Sequence, residues 1–158
     1  DIERTMRGFL YLISGDSLRN GDIREPFDGH FPAGQSMTEQ LISPEELPAW
    51  LTKDDLKFYV DEITRTGFRG GLNWYRNINK IPAITAPFLG STIEQPSFYM
   101  GGSTDLIAGN TPEAISSMQQ ALGDLRHCEI IEGAGHWIQQ ECASEVSSAM
   151  VAFLEGLN

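Results

Sequence analysis

Cysteine, basic residues and long apolar runs are all scarce in this sequence, and each scarcity argues against a class of protein. Cys128 and Cys142 are the only cysteines. They are too few for a disulfide framework, so we expect free, unreactive thiols of the kind found in the reducing cytoplasm. The chain carries 11 basic and 22 acidic residues, a net charge of -11, which argues against nucleic acid and anionic membranes as partners. No apolar stretch approaches the roughly 20 residues that a transmembrane helix requires.

The first half of the sequence is predicted to be helical and irregular. From Ile2 to Ile13 apolar residues recur with a period of about 3.6 residues, which indicates an amphipathic helix. Residues 15–42 are mostly polar and have no period, so they are predicted to form a long loop. Capping motifs that begin at Ser43 and at Thr52 predict two short helices, and another is expected from Leu72 to Asn79.

The pattern changes after residues 81–96, whose three prolines suit a connecting segment rather than an element. Apolar runs at Ser97–Met100 and Cys128–Ile131 read as strands, and a helical pattern follows each of them. Alternating strands and helices are typical of a parallel sheet with crossover helices. Because a two-stranded parallel sheet cannot bury both its faces, the sequence predicts the back half of a larger α/β fold.

Each predicted strand leads into a loop that carries a titratable side chain. His136 follows the second strand, between glycines that allow a tight, close-packed turn, and Asp105 follows the first. A carboxylate and an imidazole at two strand ends, with a helix between them, form the base-and-orienter part of a catalytic triad. The nucleophile that should precede Asp105 has no candidate in this sequence.

Three runs of the sequence are more specific together than either loop alone. Gly67–Asn77 reads GFRGGLNWYRN, Gly101–Ile107 contains Asp105, and Gly133–Glu141 contains His136. In order and spacing they resemble the C-terminal half of an α/β-hydrolase-fold epoxide hydrolase, and the first run is the most specific to that family. The resemblance implies a helical cap segment at residues 1–86. It places the last two strands and helices of the parallel sheet of the core at residues 87–158.

The resemblance also implies a reaction, the hydrolysis of a small apolar epoxide to a vicinal diol without a metal or organic cofactor. An aspartate opens the ring to give an ester, and a water activated by the His–Asp pair hydrolyses it. On the matching positions, Tyr75 is the cap acid, Asp105 the orienting acid and His136 the general base. Trp137 and Ile107 are predicted to line the substrate pocket.

The family's nucleophile and its first cap tyrosine belong to a front half that has no counterpart in these residues. We therefore expect this chain alone to be inactive, and its partner to be the missing N-terminal half.

Two other functions stay open at the level of sequence. A haloalkane or fluoroacetate dehalogenase of the same fold would need a halide-binding tryptophan or histidine where Tyr75 stands. A non-catalytic member of the fold would use the pocket to bind a small apolar ligand after losing its nucleophile. The presence of both Asp105 and His136 argues against such a loss of function.

Overall fold

Two parallel strands near the end of the chain carry the loops of interest, and a group of helices precedes them. The structure, a computed structural model, describes residues 1–23 and 34–157. The described elements are α1 (Ile2–Leu12), α2 (Gly15–Arg19), α3 (Met37–Gln40), α4 (Lys53–Thr66), α5 (Arg69–Arg76), α6 (Ile81–Thr85), β1 (Ile93–Gly102), α7 (Pro112–Ala121), β2 (Leu122–Ile131), α8 (Ile138–Glu141) and α9 (Ala143–Glu155).

The strands β1 and β2 form a parallel pair in which Gly102 lies opposite Ile131. Helix α7 connects them, as a parallel pair requires, since the chain must cross back before the second strand begins. Pro96 lies at an irregularity in the register of β1, where a residue without an N–H is tolerated. The carboxyl ends of both strands therefore lie side by side, and the loops that follow them start from one edge.

Helices α1 and α4 enclose the first of two hydrophobic clusters. Its buried members are Met6, Leu10, Leu51 and Leu56. Helix α4 is capped as predicted by Thr52, whose hydroxyl accepts the backbone N–H of Asp55 at 3.1 Å. The hydrogen bonds that the Asp55 carboxylate accepts from Thr52, first from its hydroxyl and then from its N–H, lower the pKa of Asp55.

The second cluster lies under the strand ends and is formed by Ala134, Ile138 and Val146, with Met100 and Ile131 packed against it. Trp137 follows the second strand in sequence, yet its side chain packs against the first cluster. The loop after β2 thus contacts both parts of the chain.

Several secondary-structure predictions for the first half were wrong. Helices α2 and α3 both lie within residues 15–42, which were predicted as loop, and residues 24–33 of that segment lie outside the described residues. No helix forms from Ser43 in the described structure. Pro48 pushes the residue before it away from helical geometry, and the chain turns there to bury Leu51, which is 3% exposed.

The helix expected at 72–79 begins earlier, at Arg69, and ends at Arg76. Residues 81–85, predicted as connecting segment, form α6 instead. Its proline lies in the first turn, where a helix needs no donor, so this residue favours the start of a helix rather than excluding one. The prolines alone therefore gave the wrong prediction here.

Large apolar side chains remain exposed along α5, α6 and the entry to β1. Trp74 is 81% exposed and Leu89 83%, and Ile78, Ile84, Phe88 and Ile93 are also exposed. This continuous stretch of the sequence lacks an apolar partner among the residues that the structure describes. None of the described helices is long and apolar enough to cross a membrane.

Both cysteines are free and half-buried. Burial raises the pKa of the Cys142 thiol, and the neighbouring carboxylates of Glu145 and Glu141 add to that shift. The thiol is therefore mostly protonated at neutral pH, which agrees with the unreactive state expected from the sequence.

Candidate active site

The loop after β1 holds Asp105 in place through its own backbone. One oxygen of the Asp105 carboxylate accepts the N–H groups of Ile107 at 2.8 Å and Ala108 at 3.0 Å. An aspartate that bonds the backbone two and three residues ahead closes a tight local turn. The Asp105 side chain is only 7% exposed, so its carboxylate is both oriented and shielded from water.

The loops after β1 and β2 are bonded directly to each other. The carbonyl of Ala134 accepts both the N–H of Thr104 at 3.0 Å and its hydroxyl at 2.7 Å. The Ser103 hydroxyl accepts the N–H of Gly133 at 2.9 Å. These contacts fix the distance between the two loops without using either candidate catalytic side chain.

The structure brings Asp105 and His136 together. The Nδ1 atom of His136 lies 3.1 Å from each oxygen of the Asp105 carboxylate. An ionised carboxylate only accepts hydrogen bonds, so Nδ1 carries the proton in this contact and Nε2 is left with a free lone pair. The imidazole is 34% exposed, whereas its partner is nearly buried. This arrangement can take a proton from a water molecule and stabilise the imidazolium that results.

The other predicted site residues lie in different surroundings. Trp137 packs edge-on against the His136 ring with 5.0 Å between centroids, and its indole N–H donates to the carbonyl of Leu10 at 2.8 Å. Ile107 is 51% exposed beside the acid loop. Tyr75 is 69% exposed on α5, and no hydrogen bond joins it to Asp105 or His136 in the described part of the chain. The roles of all five residues stay predictions.

Sequence reasoning missed two residues that support the acid loop. The Tyr99 hydroxyl donates to the side-chain oxygen of Asn110, whose amide in turn donates to the carbonyl of Gly102 at 2.9 Å. Burial raises the pKa of Tyr99, and the nearby Asp105 carboxylate adds to the shift, so the phenol stays a donor. The available signal was a tyrosine near the end of β1 and an asparagine that closes the following loop.

The backbone around His136 approaches a second segment so closely that it requires glycine. A Cβ at Gly135 would lie 2.4 Å from the nitrogen of Gly15, 2.5 Å from the carbonyl carbon of Ser14 and 2.7 Å from the oxygen of Ile13. All three are backbone atoms and cannot rotate away. The glycine before the histidine is therefore required by the junction of α1 and α2, which lies against it.

We expect Gly135→Ala to destabilise the protein by about 3 kcal/mol, because the added methyl group forces two backbone segments apart. The free energy of unfolding in urea, followed by tryptophan fluorescence, measures this effect. The matched control is Gly70→Ala in α5, where an added Cβ has no neighbour within 4 Å. It should leave the stability unchanged or raise it by about 0.5 kcal/mol. Equal stabilities for the two variants would contradict the close approach.

Among the residues that the structure describes, no three histidine, cysteine or acidic side chains are grouped as metal ligands would be.

Comparison with known proteins gives this geometry a context. No family model matches the chain. It is 37% identical over 156 residues to epoxide hydrolase A of Mycobacterium tuberculosis, an alignment that covers 92% of this chain and 48% of the relative. It is 34% identical over 154 residues to an epoxide hydrolase of Caballeronia sordidicola, covering 98% of this chain and 45% of the relative.

Solved structures give the same result. An epoxide hydrolase from an endophytic Streptomyces superposes with a TM-score of 0.87 at 34% identity, over 99% of this chain and 46% of that one. Epoxide hydrolase A from Mycobacterium thermoresistibile gives a TM-score of 0.78 at 35% identity, again over 99% of this chain and 46% of the other. The chain thus spans about half the length of the relatives that it matches.

The fold is therefore a C-terminal portion of the α/β-hydrolase fold, with helices followed by one parallel strand pair and its crossover helix. Within that fold the chain belongs to the epoxide hydrolases, and it corresponds to their C-terminal half. The fold class and the family predicted from the sequence are both confirmed.

Proposed function

We propose that this chain supplies the base, the orienting acid and one cap acid of an enzyme that hydrolyses epoxides to vicinal diols. The observation that carries the proposal is the contact of His136 Nδ1 with the Asp105 carboxylate, at 3.1 Å to both oxygens. It lies in a chain that matches epoxide hydrolases over nearly its whole length. We further propose that residues 1–86 belong to the cap and residues 87–158 to the core.

In the first step, a carboxylate oxygen of an aspartate outside this chain attacks one ring carbon of the epoxide. The carbon–oxygen bond of the ring breaks, and the ring oxygen leaves as an alkoxide. A phenol can donate a proton to this alkoxide while remaining un-ionised beforehand. We assign this donation to Tyr75, together with a second tyrosine outside the chain. The product is a hydroxy ester bound to the enzyme.

In the second step, Nε2 of His136 takes a proton from a water molecule as the water oxygen attacks the carbonyl carbon of that ester. Asp105 holds the ring by its Nδ1–H and stabilises the imidazolium. The ester bond then breaks, His136 returns the proton to the departing oxygen, and the diol leaves. The aspartate, freed as its carboxylic acid, releases a proton to solvent, and a proton from solvent restores the tyrosine. The sum is one epoxide and one water converted to one diol.

The exposed apolar side chains of α5, α6 and the start of β1 support the proposed partner. A sheet of two parallel strands is expected to continue with further strands, and exposed groups such as Trp74 and Leu89 then become buried. We assign this surface to the N-terminal half, which would carry the nucleophile and the second cap tyrosine. We propose a small apolar epoxide as the substrate.

Diol formation from a chromogenic styrene-oxide-type epoxide tests the proposal. The natural polypeptide that contains these residues together with the N-terminal half is expected to form diol, whereas the 158-residue chain alone is expected to form none. Intact mass of each sample shows which polypeptides are present. Absence of diol from the complete polypeptide would contradict the proposed activity. Diol from the 158-residue chain alone would contradict the proposal that the nucleophile lies outside it.

A further inference from the structure

Three consecutive backbone N–H groups around His136 each have a defined acceptor. The N–H of Gly135 donates to Oε2 of Glu141 at 3.0 Å, and that of Trp137 donates to Oε1 of the same carboxylate at 3.0 Å. Between them, the N–H of His136 itself donates to the carbonyl of Ile13 at 2.8 Å. The first and third of these N–H groups are thus held by one side chain, and the N–H between them is held by Ile13, the residue that follows α1.

The same carboxylate also reaches the first half of the chain. Oε2 of Glu141 accepts the N–H of Gly15 at 2.9 Å, across 126 residues of sequence. Glu141 is therefore bonded to three backbone donors, in two segments that approach each other at Gly135. No part of the proposed chemistry uses this carboxylate, and the sequence analysis gave it no role.

Only a carboxylate suits this position. It offers two oxygens that both accept, whereas the amide of a glutamine offers one acceptor and turns an N–H group toward a backbone donor. Hydrogen bonds to an ionised acceptor are also stronger than those between neutral groups. Loss of the charge leaves part-buried N–H groups without partners, which the loop can relieve only by moving.

We propose that Glu141 is the positioning residue for His136. It does not touch the reacting atoms. It fixes the backbone on either side of the histidine, and so keeps the Nδ1–H against Asp105 and Nε2 free for water. This role rests on the proposed function, because Glu141 can position a catalytic base only if His136 is that base.

The first experiment uses nuclear magnetic resonance on the complete polypeptide, which contains the N-terminal half, and needs no turnover. In Glu141→Gln, amide hydrogen exchange at Gly135 and Trp137 is expected to become about 10- to 100-fold faster, the loss equivalent to one charge-assisted hydrogen bond. The ring ¹⁵N shifts of His136 should change from the single Nδ1–H tautomer to a mixture. The matched control is Glu132→Gln, which removes the same charge from an exposed position of the same loop and should change neither readout.

Glu141→Asp keeps the charge but shortens the side chain by one methylene, so it cannot reach all three donors. It is expected to give intermediate exchange rates, and it carries the test if Glu141→Gln fails to fold by circular dichroism. Unchanged exchange and an unchanged His136 tautomer in a folded Glu141 variant would overturn the proposal.

A second readout separates this claim from the function itself. In the complete polypeptide, Glu141→Gln is expected to slow hydrolysis of the ester at least tenfold while ester formation keeps its rate, because only the second step uses His136. Equal slowing of both steps would mean that Glu141 merely supports the fold, and would overturn the proposal. If the unaltered polypeptide forms no ester, the proposed function fails, while the tautomer measurement still decides whether Glu141 orients His136.

Discussion

Substitution of His136 by glutamine is expected to stop the reaction at an ester bound to the enzyme. Glutamine fills similar space but cannot take a proton from water, so the second step loses its general base and slows by about 10²- to 10⁴-fold. The first step needs no base and should continue. In the complete polypeptide, intact-mass spectrometry after mixing with excess styrene oxide should show a stable increase equal to the mass of one epoxide.

The control for this experiment is His127→Gln. His127 lies on β2, where its ring stacks on Phe98 at 4.7 Å and its Nε2 lies 3.1 Å from Glu129. Its loss should leave diol formation unchanged and trap no ester. If the His136→Gln variant formed diol at the normal rate, His136 would have no part in the reaction. If the His136→Gln variant gained no mass, His136 would be needed before the ester forms.

Tyr75→Phe is expected to slow ring opening by about 10²-fold, the usual effect of removing one preorganised donor to a developing oxyanion. The phenylalanine keeps the aromatic ring, and the side chain is 69% exposed on α5, so the stability of the chain should not change. The measurement is the rate of ester formation in a single turnover, in the complete polypeptide carrying His136→Gln so that the ester accumulates.

The matched control is Tyr59→Phe on α4, whose hydroxyl accepts a hydrogen bond from Gln140 at 3.0 Å and has no proposed part in the reaction. Ester formation in this variant should keep its rate.

The Tyr75→Phe variant also separates the two enzyme classes left open by the sequence. A dehalogenase releases halide and needs no proton donor, so halide release that is unaffected by Tyr75→Phe, together with no epoxide turnover, would favour that class.

The contact between Asp105 and His136 could be predicted from the sequence because it depends on local signals. Apolar runs located the strands, although β1 and β2 are both longer than the runs that indicated them. In a parallel pair the two carboxyl ends must lie together, so a titratable residue after each strand was enough to predict the contact of Asp105 with His136. The capping motif at Thr52 was reliable for the same reason, since its hydrogen bonds are only three residues apart.

What the sequence could not show depends on contacts between distant segments. Helix α2 is five residues long and too short for a periodic pattern, and it is held in place by Glu141 far along the chain. The motif at Ser43 has the residues of a helix start, but tertiary packing of Leu51 and the constraint of Pro48 override it. The role of Trp137 in lining a pocket stays a prediction, and the hydrogen bond from its indole N–H to the distant Leu10 carbonyl is one that no local pattern indicates.

The contact between the loop of His136 and the end of α1 limits how the proposed cap can move. A lid that opened by lifting α1 would have to break the hydrogen bonds from His136 to Ile13, from Trp137 to Leu10 and from Gly15 to Glu141 together. At about 1 kcal/mol or more each, these bonds make that motion rare. The hinge for substrate entry and diol release is therefore expected beyond α2, and the first helix of this chain should move as one body with the base.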